Sequence, residues 1–328
     1  MRRSSAWGIF LVTAAILLAL FLVPLGMVVS GGFFEGGHFT LRYLAGVFEN
    51  PIYVEGLLNS LGIALGTTTL VALIAIPLAF LSNRFDFPGK PLLSGLLLVP
   101  MILPPFVGAI GVQQMLGPYG AVNAALGLGA IDWLNQTRYL SVIGLQALAL
   151  YPIMYLNVSA ALANVDPAME QAADNLGCGL FTRLRRITLP LIMPGVFAGG
   201  TIVFIWSFTE LGTPLIMNYG RCTPVQVFDA LKDIAKSPFP YALVFVMLLA
   251  SVLLYALGKF VFGRQAYAMQ SKATVSSTTT RVGGARAVLV VLPFAMVIGV
   301  ALLPHAGVVF TSFSQPGAWY QTVLPAAF

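Results

Sequence analysis

Residues 164–190 read NVDPAMEQAADNLGCGLFTRLRRITLP, and this charged stretch lies between two long apolar segments, roughly 140–163 and 195–217. Each segment is long enough to form a helix across a bilayer core of about 30 Å, because such a helix needs roughly 20 apolar residues. Of the 328 residues, 58% are hydrophobic and only 9% are charged, against about 25% charged in an average soluble domain. We therefore predict an all-α integral membrane protein and exclude a soluble enzyme, a disordered tail and a nucleic-acid binder.

Seven membrane spans are predicted by a hydropathy window of about 19 residues. They cover roughly 7–29, 60–82, 92–116, 140–163, 195–217, 240–262 and 287–306. The first span is interpreted as a retained helix and not a cleaved signal peptide, because its apolar stretch is long and further spans follow. Some spans contain helix breakers, such as Pro104 and Pro105. Membrane helices tolerate these where neighbouring helices or a cavity satisfy the backbone, which favours packed helices around a pathway.

The distribution of basic residues predicts the orientation, because loops on the cytoplasmic side carry an excess of Lys and Arg. With the N-terminus inside, the inner segments hold 12 of the 17 basic residues, and the outer segments hold only Arg42, Arg138, Arg221, Lys232 and Lys236. We expect a multi-pass membrane protein with a cytoplasmic N-terminus and the loop 164–190 in the cytoplasm.

The first and seventh spans match at a single offset of 280 residues. Four residues at the end of the first span and just after it recur at the seventh: Pro24, Val28, Val29 and Phe33 as Pro304, Val308, Val309 and Phe313. A chance match in apolar sequence is one interpretation. The other is an internal repeat, with a six-helix unit followed by the first helix of a truncated or split second unit. The predicted domains are then 1–58 (first helix and outer loop), 59–264 (a membrane core with the cytoplasmic loop 164–190), 265–286 (a Ser/Thr-rich cytoplasmic linker) and 287–328 (the first helix of the second unit).

The loop itself predicts two short helices joined by a glycine. Asp166 followed by Pro167 is typical of a helix start, and Gly177 of a helix end. Beyond it, Phe181, Leu184 and Ile187 fall at helical spacing, which places the neighbouring arginines off that face. From the residues alone, the loop could equally be a solvated amphipathic segment whose arginines contact lipid phosphate.

The spacing within the loop resembles the EAA loop of ATP-binding-cassette importer permeases. That pattern is Glu-Ala-Ala, three residues, Gly, nine residues, Ile-x-Leu-Pro. Here Gln171-Ala172-Ala173 stands at its start with Glu170 just before, followed by Gly177 and Ile187-Thr188-Leu189-Pro190. Further stretches look like the same family: Asn59-Ser60-Leu61, Phe87-Pro88-Gly89-Lys90, Pro104-Pro105-Phe106-Val107-Gly108 and Glu210-Leu211-Gly212-Thr213-Pro214. The resemblance covers about residues 40–265 and is greatest to fused two-unit permeases of the iron(III) uptake type.

The resemblance implies a transport subunit of the bacterial inner membrane that couples to a separate ATPase. In such importers this loop docks on one of two cytoplasmic ATP-binding subunits, a second permease unit completes the pathway, and a periplasmic or lipid-anchored binding protein delivers the solute. The residues that would form the ATPase-coupling loop are Glu170, Gln171, Ala172, Ala173, Gly177, Ile187, Leu189 and Pro190. Ferric iron is the solute that the resemblance suggests.

Glu210 is predicted near the outer end of the fifth span. An acid at membrane depth suggests a residue that lines the pathway or gate, and the alternative is an interfacial carboxylate that reaches water. Cys178 and Cys222 are predicted on opposite sides of the membrane and hence unpaired.

The sequence contains no P-loop, no cysteine–histidine metal site, no catalytic set and no cofactor motif, so the protein is not expected to be an enzyme. The remaining alternatives are a secondary transporter driven by an ion gradient and an intramembrane hydrolase. The first usually carries ionisable residues near the bilayer midplane, and the second needs a catalytic set.

Overall fold

The structure is a computed structural model that describes residues 3–35, 37–233, 237–262, 279–315, 317 and 319–327. Most of the predicted linker 265–286 lies outside these ranges. The helices are α1 (Arg3–Gly31), α2 (Arg42–Glu49), α3 (Pro51–Arg84), α4 (Lys90–Leu96), α5 (Pro105–Leu116), α6 (Ala121–Leu126), α7 (Arg138–Ala163), α8 (Pro167–Asn175), α9 (Leu180–Arg183), α10 (Leu189–Thr209), α11 (Gly212–Ile216), α12 (Thr223–Ala230), α13 (Phe239–Phe262) and α14 (Gly284–Phe313).

Short irregular elements join these helices. Two 3₁₀ turns cover Val99–Met101 and Leu231–Asp233, and a π-helical turn covers Leu184–Thr188. Four two-residue strands form two small ladders. β1 (Phe34–Glu35) pairs with β2 (His38–Phe39) antiparallel, and β3 (Phe85–Asp86) pairs with β4 (Thr280–Arg281) in parallel.

Six helices among the described residues are long and apolar enough to cross a membrane, and a bent pair makes a seventh span if counted as one. The third predicted span, 92–116, is therefore not one straight helix. The chain bends by 99° between Lys90–Met101 and Pro105–Leu126. Pro104 and Pro105 lie at the bend, and proline removes a backbone donor and clashes with the preceding helical turn.

The fifth predicted span, 195–217, also has different bounds. Its helical segment runs from Phe181 to Thr209 and stops at Glu210, whose backbone is extended. The hydropathy window places the start of this span too late, because the helix continues through the charged end of the loop. It places the end too late because α11 is a separate short helix.

Contacts divide the chain into two units. The first consists of Met1–Asn59 and Arg221–Leu253, and its core contains Val47, Ala242, Leu243 and Val246. Helix α1 belongs to this unit, and no residue of its most apolar 18-residue window is buried.

The second unit consists of Ser60–Gly220 and Leu254–Phe328, and it carries the larger core. Tyr151, Met154 and Phe294 are fully buried at its centre. Helix α10 approaches α7 closely at Gly195, where an added Cβ would lie 2.8 Å from the carbonyl oxygen of Asn157. Small residues allow such close approach between membrane helices.

Helix α14 packs as part of the second unit. Gly111 of α5 lies against Pro304 and Val308 of α14, two of the residues that match the first span at the 280-residue offset. Among the described residues, no further helix of a second six-helix unit follows α14. The repeat itself remains a prediction.

Candidate functional site

The loop between α7 and α10 begins with a capped helix. The carboxylate Oδ1 of Asp166 accepts a hydrogen bond from the backbone N–H of Ala168 at 2.9 Å, and Pro167 opens α8. A side chain that accepts from the first free N–H groups is the usual stabilising contact of a helix start. The predicted helix start at Asp166 is thus confirmed.

Gly177 ends α8 in the left-handed region, with φ of 76°. The N–H of Cys178 donates to the carbonyl of Ala173 at 3.0 Å, so the chain closes in a Schellman motif. An added Cβ at Gly177 would meet no atom within 4 Å. The predicted helix end is confirmed, and glycine is required there by the backbone conformation and not by crowding.

Three apolar side chains project from this loop: Met169, Leu176 and Phe181. Leu176 is 87% exposed and Phe181 is 78% exposed. We call these three residues the knob. Sequence analysis named Phe181 but not Met169 or Leu176, although apolar residues within a charged segment outside the membrane spans were a visible signal. Three exposed apolar side chains on one short loop make it a candidate protein contact surface.

The helical face predicted for Phe181, Leu184 and Ile187 is not uniform in exposure. Leu184 and Ile187 are half-buried and Phe181 is exposed, whereas Arg183, which was predicted off that face, is only 5% exposed. The π-helical turn Leu184–Thr188 explains the change. An i→i+5 turn holds more residues than an α-helical turn, so it rotates the preceding residues relative to an ideal α-helical face.

The second half of the loop is anchored in the core of the second unit. Ile187, Leu189 and Pro190 are half-buried, and Leu189 packs against that core. Because α9, the π turn and α10 form one continuous helical segment from Phe181 to Thr209, the knob is joined directly to a membrane helix.

The remaining predicted loop residues differ in exposure. Gln171 and Ala172 are exposed, and Ala173 is buried. The side chain of Glu170 lies outside the described part of the structure. The structure therefore brings the described loop residues together on one short segment, with Ala173 turned inward and Ala172 outward.

Glu210 lies at the break between α10 and α11. Its carboxylate Oε1 accepts a hydrogen bond from the backbone N–H of Thr213 at 3.2 Å and lies 3.4 Å from the hydroxyl of Thr213. The carboxylate therefore caps α11. Gln113 of α5 donates from Nε2 to the carbonyl of Ile216 at 2.9 Å and so ties α11 to the bent helix.

A second polar group lies inside the helices and was missed from the sequence. The Oε1 atom of Gln146 accepts hydrogen bonds from the hydroxyls of Ser207 and Thr67, and all three residues are buried. The Nε2 atom of Gln146 has no partner among the described residues. This leaves an N–H donor buried within the helix bundle.

The two cysteines differ in their surroundings. Neither forms a disulfide within the described residues; Cys178 is half-buried and Cys222 is buried. Burial raises the pKa of the Cys222 thiol to about 11. Among the described residues there is also no group of three His, Cys, Asp or Glu side chains that could hold a metal ion.

Comparison with known proteins adds close sequence relatives. A probable molybdenum ABC transporter permease of Haloferax volcanii is 30% identical over 256 residues, which is 76% of this chain and 90% of that protein. The molybdenum permease ModB of Escherichia coli K12 is 33% identical over 160 residues, 47% of this chain and 68% of ModB. The spermidine/putrescine permease PotB of Haemophilus influenzae is 31% identical over 204 residues, 61% of this chain and 70% of PotB.

Solved structures support the fold. The chain resembles a crystal structure of a bacterial ABC transporter for alginate import, with a TM-score of 0.63 and 16% identity, over 80% of this chain and 96% of that one. The same transporter in complex with an alginate-bound periplasmic protein gives a TM-score of 0.65 at 16% identity, over 81% of this chain and 96% of that one.

The family model that matches is described as a binding-protein-dependent transport system inner membrane component, and it covers residues 71–269. This range is more than half of the chain and includes the loop 164–190. The matched family consists of multi-pass inner-membrane permeases that lack an ATPase domain and work with a periplasmic binding protein. The chain therefore belongs to the binding-protein-dependent transport system inner membrane components and is a permease subunit of an ATP-binding-cassette importer.

Proposed function

We propose that this permease carries molybdate and that its loop 164–190 is the contact through which a separate ATPase moves the membrane helices. The observation that carries the choice of solute is the 30% identity to a probable molybdenum permease over 90% of that protein's length. The ferric iron expected from the sequence finds no support in the relatives compared here, which are named for molybdenum or for spermidine and putrescine.

The charge of the membrane helices favours an anion over a cation. Helices α5, α7, α10, α13 and α14 contain no Asp or Glu, and α3 contains only Glu55, near its start. Carboxylates are common partners of a polyamine or a ferric ion in proteins, and these helices offer almost none. An oxyanion needs N–H and O–H donors, and the Nε2 atom of Gln146 is such a donor.

The loop supports a coupling role because its apolar knob is exposed and joined directly to α10. Burial of exposed Leu and Phe side chains against a partner removes apolar surface from water, which contributes about 25 cal/mol per Å². In the proposed complex two ATP-binding subunits contact two such loops, one on this chain and one on a second permease unit. Residues 287–328 are proposed as the start of such a unit. On this proposal Gln171, Ala172 and Gly177 lie at or beside the docking surface, and Glu170 precedes it.

Glu210 is proposed as a gate residue at the outer end of the pathway. Its carboxylate holds the N-terminus of α11 through Thr213, and α11 contacts the bent helix α5 through Gln113. A residue that joins three helical segments near the outer boundary is well placed to change position when α10 moves.

The test of the solute is uptake of radiolabelled molybdate by membrane vesicles that contain the permease, its ATPase and its binding protein. We expect uptake that needs ATP, stops with vanadate and is competed by tungstate but not by spermidine or ferric citrate. Uptake of spermidine or iron with no molybdate uptake would contradict the proposal. The alternative of an ion-driven transporter predicts uptake that an uncoupler abolishes while ATP stays high.

The orientation can be tested with the two native cysteines. Because thiolate is the reactive form, a thiol pKa of about 11 makes Cys222 unreactive near neutral pH, so Cys178 is the reporter. If the loop is cytoplasmic, a membrane-impermeant maleimide labels inverted vesicles but not intact cells. The signal should vanish in Cys178→Ser and persist in Cys222→Ser. Labelling of Cys178 in intact cells would overturn both the cytoplasmic N-terminus and the coupling role.

A further inference from the structure

A large groove lies along the membrane-spanning helices of the second unit. It has a volume of about 530 Å³ and is formed by α3, α10 and α13, with Met154 of α7 at its base. Thr68 lines it and lies about 25 Å along α3 from either helix end, at 1.5 Å per residue. The groove therefore opens at the depth of the hydrocarbon core.

The lining of the groove is apolar. Its surface comes mainly from side chains such as Val196, Phe204 and Leu254. Thr68 and Thr69 of α3 offer no free donor, because their hydroxyls donate to the carbonyls of Ala64 at 2.7 Å and Leu65 at 2.8 Å in their own helix. The other hydroxyls of the lining belong to Thr201 and Tyr255. A charged solute would meet no charged side chain in this lining and would lose most of its water, which is costly.

A flexible hydrocarbon chain is thin and can follow an apolar channel of this kind. The lining offers it apolar contacts along α3, α10 and α13. An acyl chain of a bilayer lipid therefore matches the chemistry and the depth of this groove.

The end of the groove nearest the coupling loop is basic. Exposed Lys259 directly follows Gly258, which lines the groove, and lies one turn beyond Tyr255 on the same helix face. Arg185 and Arg186 are exposed on the π turn, about 10 Å below Met193 of the lining. Basic residues beside an intramembrane groove are typical of sites for anionic lipid headgroups.

We propose that this groove binds one acyl chain of an anionic phospholipid and that Lys259 contacts the headgroup phosphate. An acyl chain gains little on moving from the bilayer into an apolar groove, since both surroundings are hydrocarbon-like. The preference of the groove for one lipid over another must then come from the charge of the lipid headgroup. The lipid site does not depend on which solute is carried, so the lipid experiments and the molybdate uptake experiment can fail independently of each other.

The test is native mass spectrometry of the full-length permease, purified in detergent and mixed with phosphatidylglycerol or phosphatidylcholine. We expect retained phosphatidylglycerol in preference to phosphatidylcholine. Lys259→Gln should reduce that preference about fivefold, the effect of one basic residue near a membrane surface. Lys232→Gln is the matched control, since Lys232 lies outside the groove and pairs with Asp229 at 2.8 Å.

A photoactivatable acyl chain identifies what lies in the groove. We expect crosslinks to α3, α10 and α13, and their loss in Gly200→Leu, because an added Cβ there points at Met154 and Thr68 within the groove. Gly144→Leu on α7, where an added Cβ meets nothing within 4 Å, should leave the crosslinks unchanged. Equal retention of both lipids, crosslinks elsewhere, or a groove crosslinked only to another protein would each overturn the proposal. If the Gly200→Leu variant fails to fold, the positions of the crosslinks in the wild-type protein still show whether the acyl chain lies in the groove.

Discussion

Replacement of Gly177 by Asp is expected to reduce solute uptake at least a hundredfold while leaving the permease folded in the membrane. Gly177 forms the turn beside the exposed knob, next to Leu176. If the knob docks on an ATPase, the new carboxylate would be buried in that contact without a partner. An unpaired buried charge at an interface costs about 3–5 kcal/mol, and 1.4 kcal/mol corresponds to a factor of ten, so the expected loss is at least about a hundredfold.

The conformational cost of the substitution must be separated from the charge. Gly177 has φ of 76°, and an L-residue in this region costs about 1–2 kcal/mol. Gly127 is the matched control because it ends α6 with φ of 64° and also has open space around its Cβ position. Gly127→Asp carries the same strain and charge but lies outside the loop, so it should transport normally.

The measurements are solute uptake and the ATP hydrolysis of the assembled complex. We expect the Gly177→Asp variant to reach the membrane in normal amount and to lose both uptake and stimulation of ATP hydrolysis by the loaded binding protein. Uptake close to the wild-type rate would show that Gly177 is not part of the coupling surface. An equal loss in Gly127→Asp would mean that strain, and not docking, explains the effect.

Local chemistry made part of this site predictable from the sequence. Asp166 before Pro167 and the single glycine at position 177 specify a helix start and a helix end through contacts within a few residues, and the structure has both. Long apolar runs likewise identified α3, α7, α13 and α14 as membrane helices. These features depend on the neighbouring residues and on the bilayer thickness, and on little else.

Features that depend on packing were not predictable in the same way. Helical spacing grouped Phe181 with Leu184 and Ile187 and set Arg183 off that face, but beside the π turn Phe181 is exposed and Arg183 is buried. Pro104 and Pro105 marked a breaker without giving its 99° angle. The bend results from which helices surround the proline pair, and that information is spread over distant parts of the chain.

A close backbone contact between α5 and α14 in the second unit also depends on packing and was not predicted from the sequence. Helices α5 and α14 touch through their backbones at two glycines. An added Cβ at Gly111 would lie 2.0 Å from the carbonyl oxygen of Pro304, and one at Gly307 would lie 2.2 Å from the carbonyl oxygen of Gly111. Neither glycine needs a positive φ, so the requirement for glycine is the contact itself.

Gly111→Ala is therefore expected to destabilise the permease by about 3 kcal/mol, the upper range for overpacking, because the atoms that obstruct the new methyl group are backbone atoms. For a chain of 328 residues this corresponds to a fall in melting temperature of about 4 °C. The measurement is thermal unfolding of purified permease followed by size-exclusion chromatography, with Gly307→Ala as an independent variant on the partner helix.

Gly108→Ala is the matched control, since it lies one turn away on the same face of α5 and its added Cβ would be an ordinary 3.5 Å from the Cβ of Pro304. We expect its melting temperature to equal that of the wild type. If Gly111→Ala is as stable as the wild type, α14 does not dock on α5 through these glycines in the membrane.

If Gly111→Ala and Gly307→Ala both destabilise the protein, then the packing of α14, the helix whose sequence matches the first span, contributes to the stability of the unit that carries the coupling loop. A truncation before residue 284 should then reproduce the loss.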